Sequence, residues 1–361
     1  MIIQPTVAFV AGRSGGHLLP AITLAHEHKQ RNPLGKVLLF STDTNLDATI
    51  TTSTKVHDYY VPLAVDNVPQ KLLGYPAFIA QCVWALCTSM YYLYRYKPTS
   101  VTSLGGYISL PVCLAAWLLR IPIHLFELNV VPGKAVHFLL PLATKIHICF
   151  EETRQHIASN HQPKCTLQPY PLRFTTHDLA LSKHAACKQL GIASEKYTLF
   201  VTGGSQGSLS INKLVQQWVV EHTHLRHDIT IIHQTGHHPS IDWKSFYQQH
   251  GIDAIVFEYD NNVVPYYRAA DLVLCRAGAG TLFEILFFKV PCITIPLETK
   301  STAHQVDNAQ AMARNYPYLF TIFYQKDTIA SPTKFFECIT THLIMYVKKG
   351  GYSVSLDQQN N

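Results

Sequence analysis

Residues 6–20 read TVAFVAGRSGGHLLP, in which a short apolar run leads directly into a glycine-rich turn and then into a helix-forming segment. Two similar turns occur in the second half of the chain: GGSQGS at 203–208 follows the apolar run 197–201, and RAGAGTLFE at 276–284 follows DLVLC at 271–275. Such a turn exposes backbone N–H groups at the positive end of a helix, and glycine lets a phosphate approach the backbone closely. The three turns therefore predict anion-binding sites where strands end and helices begin.

The length and composition predict a globular protein with two cores. A chain of 361 residues is long for one α/β unit and suits two. The net charge of +6 suits a phosphate-bearing ligand or an anionic membrane surface, but the absence of a run of five Lys or Arg disfavours nucleic acid. Nine scattered cysteines without a CxxC pair, and no cleavable signal peptide before the first apolar run, favour a reducing cytoplasm.

Short β-branched and aromatic runs alternate with helix-period segments, which predicts parallel α/β units in each half. The predicted strands are 6–10, 37–41, 59–62, 100–103, 123–127 and 145–150, then 198–202, 229–234, 254–259, 272–275, 292–296 and 318–322. We expect an N-terminal domain over 1–162, a proline-containing linker over 163–173 and a C-terminal domain over 174–330. The tail over 331–361 is expected to contain a helix that could return to the N-terminal domain.

Residues 77–94 contain no charged side chain and are flanked by Lys71, Arg95 and Lys97. Three interpretations are open: a membrane-spanning helix, a buried core helix, or a helix lying at a membrane interface. We expect a peripheral membrane patch with the basic residues at its rim and five side chains near the surface: Phe78, Val83, Trp84, Leu86 and Tyr91.

Several enzyme classes lack their motifs here. The first turn is GRSGGH rather than the GxGxxG of dinucleotide-binding enzymes, and no glycine-rich turn is followed by the GK[ST] of a P-loop. No two aspartates are two residues apart, so the DxD metal clamp of one large class of sugar-transferring enzymes is absent. We therefore expect neither a metal nor a cofactor.

Taken in order, the motifs resemble those of the MurG family of peptidoglycan glycosyltransferases over about residues 5–325. The matching segments are 12–20, Gly105-Gly106-Tyr107 with Pro111, Glu127 with Asn129, Pro171-Leu172-Arg173, 203–207, 233–236, 275–284, and His304-Gln305 with Asn308-Ala309. The chain departs from the family motifs at Arg13, Phe126, Leu128 and Tyr170. The resemblance implies an α/β protein of the GT-B glycosyltransferase fold, with two facing Rossmann-like domains and parallel sheets.

The resemblance also implies an activity. This is the inverting, metal-independent transfer of N-acetylglucosamine from UDP-GlcNAc to the 4-hydroxyl of the muramyl sugar of undecaprenyl-diphosphate-linked MurNAc-pentapeptide (lipid I to lipid II). Such an enzyme would act in peptidoglycan synthesis as a peripheral protein on the cytoplasmic face of the bacterial plasma membrane, with other cell-wall synthesis proteins as partners. Three alternatives stay open: a GT-B enzyme acting on another lipid such as diacylglycerol, a sugar-nucleotide epimerase, and an inactive UDP-binding scaffold.

Each predicted site residue has a chemical reason. His17 is the candidate catalytic residue, because an imidazole at the start of a helix could take the proton of an attacking hydroxyl, bind the acceptor pyrophosphate, or merely cap the helix. Ser205 and Arg173 suit a diphosphate leaving group. By resemblance, Glu284 would hold the ribose hydroxyls, and Gln305 and Asn129 the N-acetylglucosamine hydroxyls. The full substrate-binding set is Ser14, Gly15, Gly16, Asn129, Arg173, Ser205, Tyr259 (through its backbone to uracil), Ala279, Gly280, Thr281, Leu282, Phe283, Glu284 and Gln305. For Ser205 a helix cap, for Glu284 a helix-start acid and for Gln305 a surface position are the structural alternatives.

Overall fold

The chain divides after Arg173 into two compact units, each built on one parallel sheet. The computed structural model describes residues 5–12, 15–54, 56–66, 69, 71–204, 207–237, 241–299 and 304–348.

In the described part of the first unit, seven parallel strands form one sheet in the order β3-β2-β1-β4-β5-β6-β7. The strands are β1 (Thr6–Val10), β2 (Lys36–Thr42), β3 (Tyr59–Leu63), β4 (Val101–Ser103), β5 (Ile123–Glu127), β6 (Lys145–Ile148) and β7 (Cys165–Leu167). The helices are α1 (Gly15–Arg31), α2 (Asn45–Thr54), α3 (Tyr75–Tyr96), α4 (Ser109–Leu118) and α5 (Lys134–Leu139). The strand order reverses between the neighbours β1 and β4.

The second unit repeats this plan, with six parallel strands among its described residues in the order β10-β9-β8-β11-β12-β13. The strands are β8 (Tyr197–Thr202), β9 (Ile229–Gln234), β10 (Asp253–Phe257), β11 (Leu272–Cys275), β12 (Cys292–Thr294) and β13 (Phe320–Ile322). The helices are α6 (Lys183–Leu190), α7 (Leu209–Glu221), α8 (Trp243–Gln249), α9 (Val264–Ala269), α10 (Ala279–Phe288), α11 (His304–Asn315), α12 (Gln325–Ala330) and α13 (Thr333–Lys348). Here the order reverses between β8 and β11.

The central strands have the burial that parallel sheets require. Every residue of β8 and of β9 is buried, and so is every residue of β11. Parallel strands are covered on both faces by the helices that connect them, so their sequences are continuous apolar runs rather than alternating ones. A continuous apolar run therefore predicts a strand here even though polar and apolar residues do not alternate.

The structure differs from the sequence prediction in the linker stretch and in the tail. Part of the stretch predicted as a linker forms β7, which pairs with β6 at the edge of the first sheet. In the tail, α13 buries Phe335, Ile339 and Leu343 in the core of the second unit. The described part of the tail thus packs on the second unit, and residues 349–361 lie outside the described residues.

The apolar segment 77–94 forms most of α3. Among the described helices, α3 has the length and composition to cross a membrane, and 17% of its apolar 18-residue window is buried. Its buried residues Ala85, Ser89 and Leu93 form one stripe with a spacing of four. Since α3 joins β3 to β4 and both strands belong to one sheet, a single crossing would place the two strands on opposite sides of the membrane. Most of α3 is therefore a surface of the first unit.

Candidate functional site

The glycine-rich turns lie where the strand order of each sheet reverses. In the first unit, the turn before α1 follows β1 and Gly105-Gly106 follows β4. In the second unit, the turn 203–208 follows β8 and Arg276 follows β11. Ligands of open parallel sheets bind outside the carboxyl ends of the strands at such reversals. Each unit therefore presents one candidate binding edge.

His17 lies in the first turn of α1, where its ring orientation is set by the loop after β4. The Nδ1 atom is hydrogen-bonded to the backbone carbonyl of Leu104. Because a carbonyl oxygen can only accept, Nδ1 carries the proton and Nε2 carries the lone pair of the neutral imidazole. This tautomer suits Nε2 to accept a proton or, once protonated, to contact an anion.

Gly105 allows the loop to pack this closely against His17. Its φ angle is +99°, and a Cβ atom at this position would lie 3.2 Å from Cε1 of His17. Both the positive φ and the short contact disfavour a larger residue. Gly105 thus allows the loop after β4 to pack directly on the His17 ring.

Glu127 organises the loop that carries the predicted sugar-binding residue Asn129. The carboxylate is buried at the end of β5 and accepts hydrogen bonds from the backbone N–H of Asn129 at 2.8 Å, the Asn129 amide at 3.2 Å and the N–H of Gly133 at 3.0 Å. Burial raises the pKa of the Glu127 carboxyl, and the hydrogen bonds oppose that rise. Asn129 is therefore held in place at the same sheet edge as His17.

In the second unit, the turn after β8 is tied to the end of β9. The Thr202 hydroxyl donates to Oε1 of Gln234 at 2.6 Å, and Nε2 of Gln234 donates to the carbonyl of Gly204 at 3.2 Å. A Cβ atom on Gly207, whose φ is +73°, would lie 2.4 Å from the carbonyl oxygen of Thr235. Only glycine allows this approach, so the described part of the turn has one defined conformation.

A buried polar chain connects β9 to α7. Nε2 of His233 donates to Oδ1 of Asn212 at 3.1 Å, and Nδ1 accepts from the Tyr247 hydroxyl at 2.8 Å. The Asn212 amide is oriented by its donation to the carbonyl of Thr235 at 2.9 Å. Burial lowers the pKa of His233 to about 3, so the ring stays neutral and keeps this tautomer.

Arg276 joins the turn after β11 to three other segments. Its guanidinium donates to the hydroxyls of Ser208 at 3.0 Å and Ser210, to the carbonyl of Ile295 at 2.9 Å, and to Oε1 of Gln325 at 2.6 Å. Ser208 is the N-cap of α7. Burial lowers the pKa of Arg276 to about 10, which leaves it charged at neutral pH. The start of α7 is therefore fixed by a buried cation.

Glu284 lies in the second turn of α10, which Gly278 caps. Its Oε2 atom accepts a hydrogen bond of 2.8 Å from the hydroxyl of Tyr267 on α9.

Helix α11 carries the predicted sugar-binding residue Gln305. The Oε1 atom of Gln305 accepts a hydrogen bond from the N–H of Leu297 at 3.0 Å. The buried Asn308, also on α11, donates to the carbonyl of Ala277 at 3.4 Å. These contacts hold α11 beside the turn that leads into α10.

The other predicted residues fall into three groups. Gly15 and Gly16 begin α1, and Ala279 through Phe283 form the first turns of α10, in which the N–H groups of Ala279, Gly280 and Thr281 have no acceptor within the helix. Leu282 is fully buried and its N–H donates to the carbonyl of Gly278, so neither its side chain nor its N–H is available to a ligand. Tyr259 follows β10 and is exposed, and Arg173 is half-buried at the end of the first unit. Ser14 and Ser205 lie outside the described residues.

The departures from the family motifs are mostly apolar side chains inside the first unit. Phe126, Leu128 and Tyr170 are all buried, so they contribute packing. Arg13 lies outside the described residues. Among the residues that the structure describes, no group of three or more His, Cys, Asp or Glu side chains is arranged to hold a metal ion. Metal independence stays a prediction.

Both units match one family in the comparison with known proteins. Residues 7–148 match the Glycosyltransferase family 28 N-terminal domain, and residues 198–331 match the Glycosyltransferase family 28 C-terminal domain. The chain belongs to glycosyltransferase family 28. This match, together with the relatives described next, confirms the predicted resemblance to the MurG family.

Two curated relatives carry the name UDP-N-acetylglucosamine--N-acetylmuramyl-(pentapeptide) pyrophosphoryl-undecaprenol N-acetylglucosamine transferase. The protein from Protochlamydia amoebophila is 34% identical over 305 residues, which is 83% of this chain and 78% of the relative. The protein from Myxococcus xanthus is 32% identical over 312 residues, or 85% of this chain and 77% of the relative.

Solved structures of the same fold include MurG from Acinetobacter baumannii, with a TM-score of 0.68, 23% identity, and coverage of 94% of this chain and 90% of that one. The UDP-GlcNAc 2-epimerase from Neisseria meningitidis, solved with UDP-GlcNAc bound, has a TM-score of 0.58 and 13% identity over 87% of this chain and 92% of that one. The predicted GT-B fold is confirmed. At these identities the structures show the fold alone.

Sequence reasoning missed three residues that organise the second unit. Gln234 and Arg276 stood within the quoted motifs but received no role, because their partners lie 19 to 68 residues away. Tyr267 had no sequence signal, since it lies on a short helix outside every motif. Only the contact with Glu284 identifies it.

Proposed function

We propose that this family 28 glycosyltransferase transfers N-acetylglucosamine from UDP-GlcNAc to the 4-hydroxyl of the muramyl sugar of undecaprenyl-diphosphate-linked MurNAc-pentapeptide, with inversion at the anomeric carbon. The observation that carries the proposal is the pair of relatives named for this reaction, which are 32% and 34% identical over more than four fifths of the chain. The fold does not carry it, because epimerases share that fold.

The second unit supplies groups suited to a UDP-sugar. As the bond between the anomeric carbon and the β-phosphate oxygen breaks, negative charge develops on the diphosphate. The N-terminus of α10 offers backbone N–H groups to that charge. Ser205 in the turn after β8 and Arg173 at the end of the first unit are our candidates for direct contact. In this proposal Glu284 accepts hydrogen bonds from the ribose hydroxyls, Tyr259 binds uracil through its backbone, and Gln305 binds the sugar.

The first unit supplies groups suited to the acceptor. The acceptor oxygen attacks the anomeric carbon on the face opposite to the diphosphate, so the new bond has inverted configuration, and the hydroxyl proton must leave. Nε2 of His17, which carries the lone pair in the observed tautomer, is our candidate to take the proton. The same atom could instead bind the acceptor pyrophosphate. Asn129, also on the first unit, would contact a hydroxyl of the N-acetylglucosamine that is transferred.

A polyprenyl acceptor stays in the bilayer, so the enzyme must reach the membrane surface. Ile79, Val83, Trp84 and Tyr91 on α3 are exposed, and so is Trp117 on the neighbouring α4. We propose that these side chains form a peripheral membrane patch on the cytoplasmic face.

Basic side chains accompany this patch. Exposed in and next to the same helices are Lys71, Arg95, Lys97 and Arg120. Apolar burial contributes roughly 25 cal/mol per Å², and each basic residue near anionic lipid about 1 kcal/mol. Phe78 and Leu86 pack partly against the core and are not part of the patch.

The test is transfer of radiolabel from UDP-GlcNAc to the lipid-linked muramyl peptide, with diacylglycerol as the competing acceptor and EDTA as the metal control. The expected result is a labelled disaccharide lipid, formed equally well with EDTA. Labelled diacylglycerol would assign another lipid acceptor. Release of free sugar and UDP without a lipid acceptor would indicate an epimerase, and UDP binding without turnover an inactive scaffold.

A further inference from the structure

The hydrogen bond between Tyr267 and Glu284 joins two helices at the predicted ribose contact. The Tyr267 hydroxyl donates to Oε2 of Glu284 at 2.8 Å. Tyr267 lies on α9, before β11, and Glu284 lies on α10, after β11. A side chain from a different element therefore helps to determine where the carboxylate points.

The Tyr267 ring is held firmly by aromatic packing. Tyr267 is 2% exposed. Its ring stacks on Phe288 with a centroid distance of 5.0 Å and an interplanar angle of 12°, and it meets Phe200 edge to face at 5.2 Å. Phe288 lies one helical turn after Glu284 on α10, so the ring and its hydroxyl engage adjacent turns of the same helix. The direction of the hydroxyl is thus fixed by packing that does not depend on the hydrogen bond.

The Tyr267 hydroxyl is a neutral donor at physiological pH. Burial, together with the charge of Glu284 and the hydrogen bond to it, raises the pKa of Tyr267 well above its ordinary value. A neutral phenol donates one hydrogen bond, whereas a phenolate beside a carboxylate would repel it. At neutral pH the carboxylate therefore meets an uncharged O–H donor.

The geometry points to Tyr267 as a positioning residue that orients the Glu284 carboxylate toward the ribose hydroxyls and so makes the donor site selective for ribonucleotides over deoxyribonucleotides. This inference rests on the proposed function, in which Glu284 binds the ribose of UDP-GlcNAc. A carboxylate that is oriented before the nucleotide arrives loses less conformational freedom on binding, and this gain is specific to the hydroxyls it contacts.

The experiment compares the affinities of UDP, 2′-deoxy-UDP and 3′-deoxy-UDP for three full-length proteins by calorimetry. The proteins are the wild type, Tyr267→Phe and Tyr247→Phe. The last is a matched control, because Tyr247 is also buried in the second unit and its hydroxyl bonds to His233 rather than to Glu284. Tyr267→Phe keeps the ring and its stacking, so the packing described above is retained. The melting temperature of each variant reports any loss of stability.

Wild type should bind UDP at least about tenfold more tightly than one of the deoxy analogues, as expected for a hydrogen bond to a charged group. Tyr267→Phe should reduce this discrimination by about fivefold and leave its affinity for that deoxy analogue within about twofold of the wild type. Tyr247→Phe should retain the discrimination even where its melting temperature falls. A structural role of Tyr267 would instead weaken UDP and its analogues equally.

Retained discrimination in Tyr267→Phe, or an equal loss of affinity for all ligands, would overturn the inference and leave the proposed function standing. If the wild type binds UDP and both deoxy analogues equally well, Glu284 does not contact the ribose hydroxyls, and the inference is overturned. Failure of wild type to bind UDP would overturn the proposed donor itself.

Discussion

Replacement of Arg276 by methionine should destabilise the second unit by about 3 kcal/mol. Hydrogen bonds to a charged group contribute about 1.5–3 kcal/mol each, and the guanidinium donates to Ser208, Ser210, Ile295 and Gln325. The burial that lowers the pKa of Arg276 to about 10 costs about 3 kcal/mol and offsets a large part of that gain. Methionine fills a similar volume but leaves the carbonyl of Ile295 without this donor.

Urea unfolding followed by tryptophan fluorescence measures this loss. Of the four tryptophans, Trp218 and Trp243 are buried in the second unit, whereas Trp84 and Trp117 are exposed on the first. The fluorescence change therefore reports mainly on unfolding of the second unit. For a unit of this size the same loss lowers the melting temperature by roughly 6–12 °C.

The exposed Arg226 in the same unit provides the control. Arg226→Met should change the stability by less than about 0.5 kcal/mol, as surface substitutions usually do. If Arg276→Met and Arg226→Met had equal effects, the hydrogen bonds of Arg276 would add nothing to stability beyond its burial cost, and the reasoning would be refuted.

Four further predictions concern the site and its surroundings. Glu284→Ala should weaken UDP binding by about 2–3 kcal/mol, because an ionised acceptor is lost; unchanged affinity by calorimetry in a folded variant would remove Glu284 from the donor site. His17→Ala should lower turnover by about a hundredfold and leave UDP affinity nearly intact, and normal turnover would contradict both proposed roles. Because the pKa of His233 is lowered to about 3, the unfolded chain binds this proton first as the pH falls below 6.5. Stability should then decrease by about 2 kcal/mol between pH 7 and pH 5, and an equally steep decrease in His233→Gln would count against this source. Trp84→Ser should reduce flotation with anionic vesicles, whereas Val220→Ser, at an exposed apolar position of the second unit, should not; equal flotation of the two variants would argue against the membrane patch.

Local sequence was sufficient for the fold class. The bounds of β1, β5, β9 and β11 agree with the predicted strands, because strands covered on both faces need continuous apolar runs. Gly105, which follows β4, has a positive φ, which is a property of that residue and its immediate neighbours. Since such patterns are short and local, they can be read one after another along the chain. Their order was enough to suggest the GT-B fold and the glycosyltransferase family.

Local sequence failed where a strand or a surface depends on distant partners. The edge strand β7 has three residues in a proline-containing stretch, and it exists only because β6 offers its hydrogen-bonding edge. Phe78 and Trp84 look equivalent in an uncharged segment, but Phe78 packs partly against the core whereas Trp84 is 73% exposed. The stripe of α3 that faces the core is chosen by the surface it packs on.

The sequence by itself therefore determined which residue types stand at the carboxyl ends of the strands, including His17, Arg276 and Glu284. The tertiary structure alone decided what holds them. Leu104 fixes the tautomer of His17 from 87 residues away, and Tyr267 on α9 donates a hydrogen bond to Glu284 on α10. Hydrogen bonds of this kind depend on distances of about 3 Å between elements far apart in the chain, and neither periodicity nor motif spacing encodes such distances.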